Sequence, residues 1–418
     1  MRILIVGSGL IGLTTAWSLR LRGHEVTVLD REEGPGLGAS FANGSLLTPS
    51  MSDPWNAPGS WRVLLASIGG SDSAMQLRLR AVPALVGWGI RFLRNSSIAA
   101  HGRNSLSNLR LSLFSLQALE SLRRQTAVKY GRGARGSLKV FRNRASLERA
   151  LADSSRLVSE GLRLRALTVE QTIGLEPALL PVADRLAGAI HYSDDESGDA
   201  YQFCAGLAEE LRRQGVEFRF RAPVSSIEVS SDRLVAVVSG SECIQADRFV
   251  IAAGSYSARL LKQAGIHVPV APVKGYSITI PCENDHQLLH IPLIDDGLHA
   301  VVVPMDGAIR VAGTAEFTGF DLRLDPVRVQ NLLNLVRDIL PRQEFDPATV
   351  KSWCGLRSMS ADGVPIICGT PLSNLFVNTG HGHLGWTMAA GSGELLAQIL
   401  TGEATSIEAA PFRLERFT

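Results

Sequence analysis

The chain opens on a short run, Arg2-Ile3-Leu4-Ile5-Val6, that is apolar after its first residue and ends at Gly7. Residues 10–22 then place apolar side chains at helical spacing up to Gly23, and Val26-Thr27-Val28-Leu29 reads as a second strand closed by Asp30. The opening is therefore strand, turn, helix, strand. Residues 34–60 lose this patterning and are rich in Gly, Ser, Asn and Pro, which predicts a long functional loop. Further on, leucine spacing predicts a helix over 106–124, a strand at 136–141, an amphipathic helix at 199–214, a strand at 216–220 and β-rich segments over 224–252. The last of these leads into Phe249-Val250-Ile251-Ala252-Ala253-Gly254. Segments near 273–280, 300–304 and 308–315 suggest an antiparallel sheet, with Asp-Gly turns at Asp296-Gly297 and Asp306-Gly307. A helix follows at 326–340, a strand from Leu375 ends in a glycine-histidine turn, and a last helix is expected from about Gly385 to Leu400. No internal repeat or low-complexity segment is present.

Composition narrows the class. With 418 residues, 45% apolar and 20% charged, the chain suits a soluble protein of two closely connected domains with a large core. The net charge of +2 gives no basic field, so nucleic acid is not an implied partner. Arginine greatly outnumbers lysine, which a GC-rich coding preference explains. The five cysteines stand singly, so no zinc or iron-sulfur ligand set is formed; no metal is expected, and a reducing compartment fits. The first strand has no preceding apolar leader or cleavage site, so a cytoplasmic location is expected. No apolar run is long enough to span a bilayer. The nearest, Ala81 to Leu93, is flanked by Arg78, Arg80, Arg91 and Arg94. It reads either as a half-buried helix or as a basic, tryptophan-bearing contact on the inner face of the membrane.

Gly7-Ser8-Gly9-Leu10-Ile11-Gly12 is a GxGxxG sequence between a strand and a helix, and Asp30 ends the next strand. Gly7 permits the tight turn, Gly9 lets backbone approach a pyrophosphate, and Gly12 lets helix and strand pack. The helix N-terminus supplies N–H groups to the anion, and Asp30 is suited to accept from a ribose hydroxyl. The loop alone does not separate FAD from NAD. The α/β pattern, however, breaks after Asp30 and resumes only near residue 199, a dispersal usual in FAD folds.

Seven ordered segments carry a resemblance that runs nearly end to end: GSGLIG, Ala39-Ser40-Phe41-Ala42-Asn43, the 53–59 segment DPWNAPG, Ala253-Gly254-Ser255-Tyr256-Ser257, the 272–277 segment PVKGYS, the 355–363 segment GLRSMSADG, and the 378–387 segment NTGHGHLGWT. On these the chain resembles the FAD-dependent D-amino-acid oxidoreductases, and most of all the bacterial D-amino-acid dehydrogenase small subunits. The resemblance implies an α/β fold: a discontinuous, doubly wound FAD-binding domain from 1–50, 199–262 and 349–418, and a mixed antiparallel α+β substrate domain from 51–198 and 263–348. It implies cofactor contacts from Gly7, Ser8, Gly9, Ile11 and Gly12, from Asp30 and Arg31, and from Ser40 and Asn43 beside the flavin. Val224 would serve adenine through its backbone, and Ala253, Gly254, Gly382, Leu384, Gly385, Trp386 and Thr387 complete the set. Gly380, Gly382 and Gly385 allow close approach to a flat ring, and the helix after them would turn its positive end toward the flavin.

Oxidising an amino acid at a flavin needs little acid–base machinery. A neutral amine gives hydride from Cα to flavin N5, and the imino acid hydrolyses in water, so positioning carries most of the catalysis. A planar carboxylate calls for a guanidinium fork, and Arg357 in GLRSMSADG is the candidate. His383 departs from the threonine or arginine of the resembling enzymes; it can bind carboxylate, recognise a hydroxyl, or fill space with a satisfied hydrogen bond. Tyr276 and Tyr256 are candidate phenolic donors or packed rings. The expected substrate is a small D-amino acid, with electrons passing to a quinone or another carrier rather than to oxygen. Alternatives are an oxidase or dehydrogenase of glycine, sarcosine, D-proline or D-hydroxyproline, and a flavoprotein subunit working with partner chains.

Overall fold

The computed structural model describes residues 1–60, 62, 75–282, 289–295, 297 and 300–417. Two sheets organise them. The first has six strands in the order Ile366–Gly369, Leu375–Thr379, Arg248–Ile251, Arg2–Val6, Glu25–Leu29 and Glu217–Arg219. All neighbours are parallel except the first pair. Strands buried on both faces need apolar residues at consecutive positions, and 2–6 shows why the run is unbroken. Ile3 and Ile5 face a layer holding helices Leu10–Leu21, Ala200–Arg213 and Ala389–Thr401. Leu4 and Val6 face the other way, onto the three-stranded sheet 224–244 and the short helix Ser257–Gln263.

The second sheet has nine strands. Its main path runs Lys351–Ser360, Val270–Pro281, Ala308–Phe317, Ala300–Met305, Leu293–Asp295, Ser137–Phe141, Gly188–Tyr192 and Leu164–Leu167, with Met75–Leu77 paired to 308–317. Helix Pro326–Ile339 covers one face, with Leu332, Val336 and Ile339 packed against Ile278, Val302 and Val311.

The α/β class and the two-layer plan match expectation, but segment membership differs in two places. Strand Lys351–Ser360 pairs along its whole length with Val270–Pro281, so the last piece of chain joins the first sheet only at Ile366. Helix Ile98–Gln125, expected within the substrate domain, buries Leu111, Leu119 and Leu122 in the core beneath the first sheet. Ser115 Oγ accepts from Gly391 N at 3.0 Å, an approach that a β carbon on Gly391 would block at 2.8 Å from Ser115 Cα. The long helix thereby ties the two layers together.

Local signals explain the helix starts. Ser97, Asn143, Asp199 and Asp325 each accept a hydrogen bond from the first turn they precede, and Thr168 with Gln171 forms a capping box. Helix Leu10–Leu21 is different: its cap is Gly9, without a side-chain cap and without an acid in the first turn. The Asp306-Gly307 turn is present, with Gly307 at φ +66° between strands 300–305 and 308–317. Asp296 of the other expected turn lies outside the described residues. The last helix begins at Ala389 rather than Gly385, because Gly382–Leu384 first makes a 3-10 turn. Helix Val82–Arg94 is half-buried: Trp88 and Phe92 face inward, and Val86, Ile90 and Leu93 face solvent.

Candidate active site

A cavity of about 1190 Å³ extends between the two sheets, from the glycine loop to Arg357 and His383. At its nucleotide end, the strand Arg2–Val6 delivers Gly7 at φ +114°, where a β carbon would stand 2.4 Å from the Ala252 carbonyl oxygen. A β carbon on Gly12 would fall 1.8 Å from the Gly7 carbonyl oxygen, so this glycine is required for helix and turn to meet. Gly9 is crowded only by Ser40 Oγ at 3.4 Å and lines the cavity. Helix 10–21 therefore points an uncapped, acid-free N-terminus at open space, and Ser40 Oγ accepts from Leu10 N at 3.3 Å beside it. That is a fitting cradle for a pyrophosphate.

Asp30 lies at the rim, its Oδ2 accepting from both N and Oγ of Ser8 at 2.6 Å and its Oδ1 from Glu32 N at 2.9 Å. Ser8 thus acts by fixing Asp30 and is not on the cavity wall. The carboxylate keeps unused lone pairs for a ribose hydroxyl. Arg31 stacks 3.8 Å from the centre of the Tyr256 ring, which sets Tyr256 beside the Asp30 end of the cavity. The 221–224 bend is stitched to the same rim, Arg221 N donating to Glu32 O and Ala222 N to Asp30 O, and this brings Val224 to the wall. Ile11, Asn43, Ala253 and Gly254 line the cavity too. Asn43 Oδ1 closes its own loop by accepting from Ser45 N, while its carbonyl accepts from Arg310 Nη1 at 3.1 Å.

In the 380–387 turn, Gly382, Gly385 and Trp386 reach the wall along with His381 and His383. Leu384 and Thr387 do not. Leu384 is in the core, and Thr387 Oγ1 accepts from Thr48 N at 2.8 Å, anchoring the turn to the 46–51 segment. Their side chains support the turn from behind. The helix start expected over the flavin is four residues later than the sequence suggested, so the 3-10 turn at Gly382–Leu384 is the segment nearest the cavity.

Arg357 projects from strand 351–360 across the bare face of Gly275 on the neighbouring strand. Its Nη1 donates to the Thr314 carbonyl at 2.9 Å, and its guanidinium lies 5.6 Å from the centre of the Trp55 ring. No carboxylate pairs with it among the described residues. Burial pulls it down to about 10, which still leaves it charged at neutral pH. A desolvated cation on a cavity wall without a counter-ion is a site for an anionic ligand.

His383 stacks on Trp55, with ring centres 5.4 Å apart, and its Nε2 lies 3.0 Å from the Met51 carbonyl oxygen. A carbonyl only accepts, so Nε2 carries the proton. Burial is the main cause of a value pushed down to about 4, and the charge of Arg357 adds to it. His383 is therefore neutral and does not serve as a second cation for a carboxylate. Of the three roles open to it, the structure supports a packed, hydrogen-bonded wall whose Nδ1 remains an acceptor. Tyr276 is also corrected: its hydroxyl donates to Glu316 Oε2 at 2.8 Å, inside a cluster with Lys274 and Arg328. With its one proton so engaged, Tyr276 cannot donate to a substrate carboxylate, although its side chain borders the cavity. Gly275 and Trp55 were not assigned roles by the sequence; the signal for Gly275 was its place in PVKGYS, but only strand pairing reveals which side chain it admits.

A family model described as FAD dependent oxidoreductase matches residues 2–399. The chain belongs to the FAD-dependent oxidoreductases. Among curated relatives, it is 39% identical to a D-amino acid dehydrogenase of Paramagnetospirillum magneticum, covering 100% of this chain and 99% of the relative. It is 36% identical to one of Vibrio atlanticus, covering 100% of both. Among solved structures, glycine oxidase of Geobacillus kaustophilus superposes with a TM-score of 0.76 at 24% identity, covering 99% of this chain and 98% of that one. The cofactor of this FAD-dependent oxidoreductase is FAD, and the uncapped helix, the glycine cradle and Asp30 suit its diphosphate and ribose.

Proposed function

We propose that the chain is a D-amino-acid dehydrogenase that oxidises the amine carbon of a small D-amino acid and delivers the electrons to a quinone or carrier rather than to oxygen. The observation that carries this reading is Arg357, a half-buried guanidinium on the cavity wall with no acidic partner among the described residues. Stereochemistry and acceptor rest on the two relatives named D-amino acid dehydrogenase.

Arg357 would take the substrate carboxylate in its fork, with the Thr314 carbonyl and the Trp55 ring limiting how the guanidinium can turn. Trp55 and His383 form a flat wall beside it that excludes water and confines the Cα substituents. His383 is too weak a base to hold the ammonium proton at neutral pH, so that proton leaves to water before reaction. FAD, when bound, supplies the two-electron acceptor for the hydride from Cα, and the imino acid released is hydrolysed in water.

Anaerobic mixing of the holoenzyme with D-, L- and N-substituted amino acids tests the reading through bleaching of the flavin absorbance. Fast bleaching by D-amino acids, with little peroxide on turnover in air, is expected. Bleaching by glycine, sarcosine or L-amino acids alone would overturn the substrate assignment, and stoichiometric peroxide would overturn the acceptor.

A further inference from the structure

Large apolar side chains left in solvent are not evenly spread over this protein. Fifteen are exposed among the described residues, and eight of them fall in 79–98 and 322–327. Leu79, Val86, Ile90 and Leu93, between 44% and 70% exposed, follow one another along one side of helix Val82–Arg94 and the turn before it. Leu322, Leu324 and Val327 belong to the same surface, because Arg80 pairs with Asp321 and Arg78 with Asp325 at 2.9 Å. A contiguous apolar face of this kind marks a contact.

Charge says what kind. From residue 73 to residue 119 the sequence has six arginines, no lysine and no aspartate or glutamate. Arg78 and Arg80 are held by the aspartates just named. Arg91 and Arg94, on the same helix as the apolar row, have no acidic partner among the described residues. Apolar residues on one helical face with arginines beside them is the pattern of a helix lying in a bilayer interface, where the arginines meet anionic headgroups. No helix among the described residues is long and apolar enough to cross a membrane.

The face is also next to the chemistry. Leu322, 47% exposed, lines the cavity, as does Met75. The inward side of the helix, Trp88 and Phe92, packs in one cluster with Met359, Met75 and Trp55, the ring under Arg357. A lipid-soluble acceptor arriving at this face would meet the cavity wall at Leu322.

We infer that the face formed by helix Val82–Arg94 and residues 322–327 docks on an anionic lipid bilayer. The docking stands on exposure and charge alone; the entry of a quinone from that bilayer rests in addition on the dehydrogenase reading.

Sedimentation of the full-length holoenzyme with lipid vesicles tests it. Vesicles containing phosphatidylglycerol should carry the protein down, and pure phosphatidylcholine vesicles should do so far less. Ile90→Glu with Leu93→Glu should lower the vesicle partition at least about tenfold. Arg91→Ser with Arg94→Ser should lower it by about fivefold per arginine, with the loss shrinking as salt is raised. Flavin content and the rate of dye reduction should be unchanged in both variants. With a quinone embedded in the same vesicles, its reduction should fall in step with partition. Three results would overturn the inference: no partition onto either vesicle at low salt, partition unaltered in both variants, or a self-association abolished by the glutamates in protein that ignores vesicles. Loss of dye reduction by all amino acids would instead count against the dehydrogenase reading and leave the vesicle result standing.

Discussion

A β carbon on Gly275 would stand 2.3 Å from Nη1 of Arg357, so the missing side chain at one position and the placement of the guanidinium at the other are a single feature. Gly275 has an ordinary extended backbone within strand Val270–Pro281, and conformational freedom is not what it supplies. Gly275→Ala should therefore leave the sheet and the flavin in place while displacing the fork. Charge-assisted hydrogen bonds contribute about 1.5–3 kcal/mol each, so KM should rise by roughly 10-fold or more in Gly275→Ala and by up to ~100-fold in Arg357→Ala. Steady-state kinetics on flavin-loaded protein checks both, and an unchanged KM in Arg357→Ala would remove that residue from the site.

The glycine loop separates folding from binding. Gly12→Ala puts a β carbon 1.8 Å from a backbone oxygen, so it should yield misfolded or insoluble protein. Gly9 meets only the Ser40 hydroxyl at 3.4 Å. Gly9→Val should fold, with a circular-dichroism spectrum near that of the parent, yet purify colourless because its side chain takes the space in front of the helix N-terminus. A yellow Gly9→Val protein would show that the pyrophosphate lies elsewhere.

Features written in short stretches of sequence were legible. The strand, the glycine loop, the helix and Asp30 each depend on backbone needs that neighbours in sequence satisfy, and all appear where expected. Strand Lys351–Ser360 joins the second sheet, not the first, because choice of sheet is decided by a partner some eighty residues earlier, Val270–Pro281. The same non-locality hid what Tyr276 does. Its neighbours in PVKGYS suggest a residue aimed at substrate, but Glu316, forty residues on, claims its proton. For His383, sequence left three roles open; the Met51 carbonyl fixes its tautomer, and burial removes the cationic role.

One buried histidine, His381, and one half-buried histidine, His383, should make the protein sensitive to acid. Burial lowers His381 to about 3 and is the main cause lowering His383 to about 4, against an ordinary value of 6.5. Between those limits the unfolded chain binds protons that the folded one refuses, so stability is full above about pH 6.5 and is lost as pH falls. At pH 5 the loss should be ~2 kcal/mol for each residue. A melting temperature that drops between pH 7 and pH 5, with the drop reduced in His383→Thr, is the expected result. A melting temperature flat across that range would contradict it.

Asp195 should act in the opposite sense over the same range. Its carboxyl is buried with no cationic partner among the described residues; Ser137 Oγ donates to Oδ2 at 2.5 Å, and Ser50 donates from Oγ to Oδ2 at 2.6 Å and from N to Oδ1 at 3.2 Å. Burial pushes it up to about 7, and the hydroxyl and amide donors only partly oppose this. Above its ordinary value of 3.8 the unfolded chain releases a proton that the folded one retains, so this group's contribution to stability falls as pH rises toward 7. Asp195→Asn keeps the shape, carries no charge, and leaves both hydroxyls free to turn and accept. The variant should gain melting temperature relative to the parent as pH rises from 5 to 8. It should also steepen the acid loss set by the histidines, since the opposing group is gone. Ser50 sits beside Met51, whose carbonyl holds His383, so a changed KM in Asp195→Asn would show that this buried carboxyl also sets the position of the wall beside Arg357.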